Sequence, residues 1–127
     1  LIFYQFNKKE NKMQRITVPP MRLELVAFTR AGWLQRVIVR RDGGIFMQAE
    51  GSGRGTEIIR RNYVIDSQQV FEVSFEHKVE GRGEWIVSND RVSTNPGDPS
   101  ILFIVEADDS YADGDYQDCV LYFKHSR

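Results

Sequence analysis

Apolar and polar side chains alternate with a period of two through much of this chain. Between Val70 and Lys78, the residues Phe71, Val73, Phe75 and His77 are interleaved with Glu72, Ser74, Glu76 and Lys78. Successive side chains on a β-strand point to opposite faces, so this pattern predicts a strand with one buried and one wetted side. Arg22-Leu23-Glu24-Leu25 opens a second alternation, which becomes more apolar through Val26-Ala27-Phe28. Val37-Ile38-Val39, Ile58-Ile59, Trp85-Ile86-Val87 and residues 101–105 and 120–123 are short β-branched or aromatic runs. Runs of that length and composition suit strands better than helices.

Turn signals separate these runs at close intervals. Asp42-Gly43-Gly44 predicts a tight hairpin, since glycine adopts positive φ without steric cost. Gly51-Ser52-Gly53-Arg54-Gly55 reads as a flexible loop, and Gly81-Arg82-Gly83 as a second short reversal. Asn95-Pro96-Gly97-Asp98-Pro99 cannot continue a central strand, because proline lacks the ladder N–H. Many short strands with regular punctuation predict an all-β fold, an antiparallel β-sandwich or barrel. No internal repeat or low-complexity tract interrupts the pattern. Residues 14–127 make one predicted domain. Residues 1–13 are an N-terminal arm or an extra edge strand, with 5–12 a short helix or a frayed arm.

At 127 residues, with 41% apolar and 28% charged side chains, the chain has the balance of an ordinary globular domain. No uninterrupted apolar stretch approaches the ~18 residues that a membrane-spanning helix needs. Lys8, Lys9, Glu10 and Lys12 do not suit a secretory signal, and without an initiator Met the sequence reads as a mature form or an excised domain. Cys119 is the single cysteine, which excludes an internal disulfide. The net charge of −1 conceals an asymmetry: residues 1–64 carry twelve Lys/Arg against five Asp/Glu, and residues 65–127 carry five against thirteen. Such a split points to an interaction tail, a specialised site, or contact between subunits.

The acidic excess is concentrated near the C-terminus, where Asp108, Asp109, Asp113, Asp115 and Asp118 fall within eleven positions. This segment joins a predicted buried strand ending near Glu106 to another beginning at Cys119. Crowding so many carboxylates into one connection is unfavourable unless a cation or solvent screens them. Calcium is the natural partner, since it takes six to eight oxygen ligands at about 2.3–2.6 Å. Asp113, Asp115 and Asp118, with the amide oxygen of Gln117, supply a dense oxygen array. An EF-hand is excluded: counting from Asp113, the sixth residue is Asp118 rather than glycine, and a strand pattern follows. Zinc lacks the Cys/His cluster it prefers. The alternative without an ion is a solvated acidic hairpin tip.

These residues resemble the bacterial calcium-dependent fucose/mannose-binding lectins of the fucose-binding lectin II type. The family's compact nine-stranded sandwich, which implies an antiparallel β-sandwich of about nine short strands here, ends with an acidic loop of the form E-D-G-T-D-x-D-Y-N-D and a last apolar strand; Asp113-Gly114-Asp115-Tyr116-Gln117-Asp118 is the close match. Phe103 fits the aromatic of the strand leading into that loop. Near the start, Thr17-Val18-Pro19 and Arg22-Leu23-Glu24-Leu25-Val26-Ala27-Phe28 resemble the family's T-L-P and R-F-G-V-T-A-F. The resemblance runs in order over residues 16–127.

What it implies is a calcium-dependent carbohydrate-binding module without catalysis, recognising a fucose- or mannose-type sugar. The family holds two adjacent calcium ions, which the sugar hydroxyls coordinate directly. Carried over, the first ion falls to Asp109, Asp113, Asp115 and Asp118, and the second to Asp115, Asp118 and Gln117. The second also needs an asparagine where this chain has Arg30. A guanidinium cannot ligate a cation, but its charge could occupy the ion's place and pair with Asp115 or Asp118. One ion is therefore implied. The family's sugar-specificity stretch falls on Ala31, Gly32 and Trp33, so the implied ligand-binding set is Arg30, Ala31, Gly32, Trp33, Ser110 and Asp113. Trp33 either stacks on a pyranose face or packs on a loop. A homodimer is implied too, because the family takes one metal ligand from the partner subunit's terminal carboxylate. An extracellular or cell-surface location suits such a lectin. The other reading of the same residues is a calcium-stabilised sandwich that has lost sugar binding and serves protein contacts.

Other chemistries fit less well. His77 and His125 lie on separate predicted strands with no nucleophile motif beside them, and read as strand histidines. Cys119 opens an apolar strand and reads as a small buried hydrophobe. The carboxylate pairs of glycosidases come from facing elements rather than from one loop, so an enzyme ranks third. Arg36, Arg40, Arg41, Arg54, Arg60 and Arg61 could form a basic face for nucleic acid. The slightly acidic overall balance and the lack of an aromatic RNA-binding signature disfavour that partner, and pairing with Glu50 and Glu57 accounts for the arginines.

Overall fold

The computed structural model describes residues 13–79, 82–93, 98–108 and 118–126. Among them it has ten strands and no α-helix. In chain order these are β1 (Gln14–Val18), β2 (Met21–Thr29), β3 (Leu34–Arg41), β4 (Gly44–Gly51) and β5 (Thr56–Ile65). β6 (Gln69–Lys78), β7 (Ile86–Val87), β8 (Asn89–Ser93), β9 (Ile101–Asp108) and β10 (Cys119–His125) follow. Every pairing is antiparallel. The first sheet has the order β1-β6-β3-β4, with the short β7 also on β6; the second has the order β5-β2-β10-β9-β8. The expected antiparallel β-sandwich is the fold. Among the described residues it has ten strands, where the resemblance implied about nine. β8, with Asn89, Asp90 and Ser93, carries residues depleted in strands and forms as an edge because β9 offers it a ladder. The arm or edge strand expected at the N-terminus falls outside the described residues, apart from Met13.

The hairpin between β3 and β4 shows how local chemistry sets register. Arg41 pairs with Gly44, which leaves Asp42 and Gly43 as a two-residue loop with φ of 54° and 80°. Positive φ at both central positions gives the turn whose twist matches that of the flanking strands. The left-handed residues are thus Asp42 and Gly43 rather than the two glycines, since aspartate tolerates that region and Gly44 already belongs to the strand.

The alternation in β6 does what its period requires. Phe71, Val73 and Phe75 are fully buried, facing Leu23, Leu25, Leu121 and Phe123 of the other sheet. Phe71 packs 6.3 Å from Phe123 and 4.9 Å from Phe46, measured between ring centroids. Each such large apolar side chain contributes about 1.5–3 kcal/mol by leaving water.

The charge asymmetry resolves in part within the sheets. Basic strands of the first half neighbour acidic strands of the second, so Arg15 meets Glu72 at 3.3 Å and Arg36 meets Glu76 through Nε at 2.8 Å. Arg60 pairs with Glu57 at 2.8 Å and with Glu24 at 3.3 Å. Arg36 and Arg60 lie on the outer faces of different sheets, so the arginines of the first half do not gather into one basic face. No helix among the described residues is long and apolar enough to cross a membrane.

Candidate functional site

At one end of the sandwich the ends of β2, β9 and β10 meet. Cys119, the first residue of β10, pairs on one side with Thr29 at the end of β2 and on the other with Ala107 near the end of β9. The ladder continues one step into the loops. Asp118 N–H donates to the Ala107 carbonyl at 3.1 Å, and the Asp118 carbonyl accepts from Arg30 N–H at 2.9 Å. Asp118 thus stands beside the connection between β2 and β3, which carries Arg30, Ala31, Gly32 and Trp33. The turn between β4 and β5 supports that connection from the other side. Gly53 N–H donates to the Ala31 carbonyl at 2.9 Å, Gly55 N–H to the Thr29 carbonyl at 2.8 Å, and the Thr29 hydroxyl to the Gly53 carbonyl at 2.8 Å. Gly53 has φ of 107°, a conformation open to glycine and strained for other residues.

Of the expected metal ligands, Asp118 is the one within the described residues; Asp109, Asp113, Asp115 and Gln117 fall outside them, as does Ser110. Asp108, which leads into that segment, is buried at the end of β9, opposite Asn89.

The Arg30 side chain runs along the outer face of the second sheet. It lines an open recess of about 360 Å³ with Val26, Phe28, Arg60, Tyr122 and Lys124. Among the described residues no ion pair joins Arg30 to Asp118. Trp33 goes the opposite way, toward the first sheet. Its ring stacks on His77 with centroids 6.0 Å apart and planes 21° apart, and its carbonyl accepts from Gln35 Nε2 at 3.3 Å.

A sequence model of the family Fucose-binding lectin II (PA-IIL) matches residues 16–127. The chain belongs to this family. Three solved structures share the architecture. The Chromobacterium violaceum lectin CV2L, in complex with alpha-methyl-fucoside, is 14% identical, with a TM-score of 0.65 over 92% of this chain and 97% of that one. The Ralstonia solanacearum high-affinity mannose-binding lectin is 18% identical, with a TM-score of 0.66 over 89% and 96%. The C-terminal domain of the BC2L-C lectin from Burkholderia cenocepacia is 16% identical, with a TM-score of 0.60 over 94% and 98%. At these identities the likeness is one of fold. No curated protein matches the chain.

Within this fucose-binding lectin II chain, sequence reasoning passed over Gln35 and Ser88, and read His77 as a strand histidine with no link to the 30–33 connection. Gln35, His77 and Ser88 are buried beneath Trp33, and His77 Nδ1 lies 2.7 Å from the Ser88 hydroxyl. The available signal was parity: His77 continues the inward row of Phe71, Val73 and Phe75, so its ring enters the interior. Cys119 is fully buried, and burial pushes its thiol up to about 12, far from the reactive range. His125 is exposed at the far end of β10.

Proposed function

We propose that this lectin-family chain binds carbohydrate through calcium and performs no catalysis. The observation that carries the reading is the family match across residues 16–127, which takes in both the 30–33 connection and the acidic segment that ends at Asp118, whose carbonyl accepts from Arg30 N–H. The donor chemistry fits a hard cation, since Asp109, Asp113, Asp115, Asp118 and Gln117 offer oxygen throughout. The main chain favours the fit as well. Both peptide groups flanking the Asp118 side chain are hydrogen-bonded, so the main chain that carries one of these residues is held in place. Bound there, calcium supplies coordination positions for sugar hydroxyls. One ion is the proposed complement, because Arg30 stands in place of a second-ion ligand and its guanidinium lies along the outer face of the sheet. Ala31, Gly32, Ser110 and Asp113 are the proposed sugar contacts, with Arg30 at the rim.

The proposed ligand is a fucose- or mannose-type sugar, in line with what the Chromobacterium and Ralstonia relatives are described as binding. Calorimetric titration with methyl α-fucoside and methyl α-mannoside, in millimolar calcium and again with excess chelator, tests the reading. Binding abolished by chelator is expected. Binding of neither sugar, or binding indifferent to chelator, contradicts it.

A homodimer belongs to the same proposal. The outer face of the second sheet presents the half-buried Phe28 and Tyr122, their rings edge-to-face at 6.2 Å, beside Val26 and Val120, which are already buried within the single chain. A sheet face that met only water would alternate to polar residues there; a second copy would cover it. Sedimentation velocity is expected to show a dimer that Tyr122→Asp dissociates, and a wild-type monomer at all concentrations contradicts this part of the proposal.

A further inference from the structure

Beneath the 30–33 connection the sandwich interior changes from apolar to polar. The inward row of β6 runs Phe71, Val73, Phe75 and then His77, and the adjacent inward row of β3, in the same sheet, runs Val39, Val37 and then Gln35. Gln35 and His77 are direct cross-strand partners, 0% and 2% exposed. Ser88, 1% exposed, arrives from the link between β7 and β8, held by its N–H on the Phe75 carbonyl at 2.9 Å. Its hydroxyl then sits 2.7 Å from His77 Nδ1. Apolar residues at these three positions would fill the same volume without desolvating polar groups. What the polar residues add is direction, because a hydrogen-bonded ring or amide is fixed in orientation where an aliphatic side chain is not.

Both of those oriented groups act on Trp33. The Gln35 amide holds its carbonyl at 3.3 Å, and the His77 ring, set by Ser88, supports the indole at 6.0 Å. We propose that Gln35, His77 and Ser88 are positioning residues for the sugar-binding connection, and that Trp33 is its anchor, turned into the sandwich rather than toward the ligand. The ligand-facing part of the connection is then Arg30, Ala31 and Gly32, held rigid between the Asp118 carbonyl, the Gly53–Gly55 turn and the Trp33 anchor. A connection ordered before binding loses less entropy when the sugar arrives, so the polar cluster acts on affinity through the loop and not by contact.

The inference rests on the proposed sugar site, and its test separates the two. Ser88→Ala and Trp33→Ala are expected to lower calcium-dependent affinity for methyl α-fucoside or methyl α-mannoside about tenfold or more, with calcium affinity measured without sugar unchanged. Trp33→Phe, which keeps a ring on His77, is expected to restore most of the sugar affinity. Wild-type affinity in Ser88→Ala overturns the inference even if the lectin binds sugar as proposed. The chain has two tryptophans, so in a Trp85→Phe background Trp33 fluorescence reports the anchor without any ligand. Ser88→Ala is expected to raise acrylamide quenching of Trp33 about twofold, since loosening the His77 ring uncovers the indole. Unchanged quenching overturns the inference whether or not sugar binds.

Discussion

Single side chains at the candidate site differ in what their surroundings allow. In the proposed calcium site Asp115 is central to the acidic motif, shared by both ion positions that the family resemblance implies, and a carboxylate replaced by an amide loses its charge while keeping its shape. Asp115→Asn is therefore expected to weaken calcium binding about tenfold or more, as read by calorimetry; an unchanged titration contradicts the ligand assignment. Cys119 illustrates the opposite case, a reactive group silenced by burial. Its thiol is raised from the ordinary 9.0 to about 12, so the folded state holds its proton where the unfolded state has released it. The associated stability is complete below about pH 9 and declines as pH rises toward 12. Alkaline unfolding curves should accordingly show a shallower loss for Cys119→Ala than for wild type. Asp98 is shifted downward by hydrogen bonds from the Ser100 hydroxyl, at 2.7 Å, and the Ser100 N–H, at 3.0 Å. Its contribution is present above the ordinary carboxylate value and fades as pH falls through the lower folded one.

Among the elements, those with a strict period or a β-branched apolar run were legible and those with neither were not. β6 and β2 declared themselves through alternation, because a half-buried strand must place apolar groups on every second residue. β1, β4 and β8 lacked such a signal. β8 is polar, and β4 is bounded by Gly44 and Gly51 with Gln48 and Glu50 inside it. They become strands through partners distant in the chain, so their pairing energy is not local. The hairpin at Asp42 and Gly43 is the clearest local determinant. A Cβ at Gly43 meets nothing within 4 Å, so a substitution there acts through backbone conformation alone. Gly43→Val is expected to cost about 1–2 kcal/mol in urea unfolding, with the fold retained.

At the scale of the whole molecule, the sandwich is a device for bringing distant segments to one end. β10 inserts between β2 and β9, which places Asp118 against Arg30 across most of the chain length. That arrangement depends on the shared core, and Phe71 lies at its middle, packed on Phe46 and Phe123. Phe71→Ala is expected to destabilise by about 3–5 kcal/mol in denaturant unfolding, and to reduce sugar affinity through that loss. The charge asymmetry also changes meaning at this scale. Read along the chain it suggested a tail or a subunit contact, yet Arg15–Glu72 and Arg36–Glu76 show part of it to be neighbouring strands of one sheet. An exposed pair such as Arg15–Glu72 is worth about 0–1 kcal/mol, so it bears on register and solubility more than on stability.

Taken by itself, the amino-acid sequence determined the strand class, the inward faces of β2 and β6, the hairpin at Asp42-Gly43 and the oxygen-rich segment before the last strand. These are properties of neighbouring residues: side-chain parity, backbone sterics and local charge density. Tertiary structure alone decided which strand ends meet, that Arg30 lies along an outer face, and that Trp33 turns inward over His77, Gln35 and Ser88. Parity stops at the end of a strand, and the direction of a loop side chain follows from whichever surfaces the long-range pairings bring beside it.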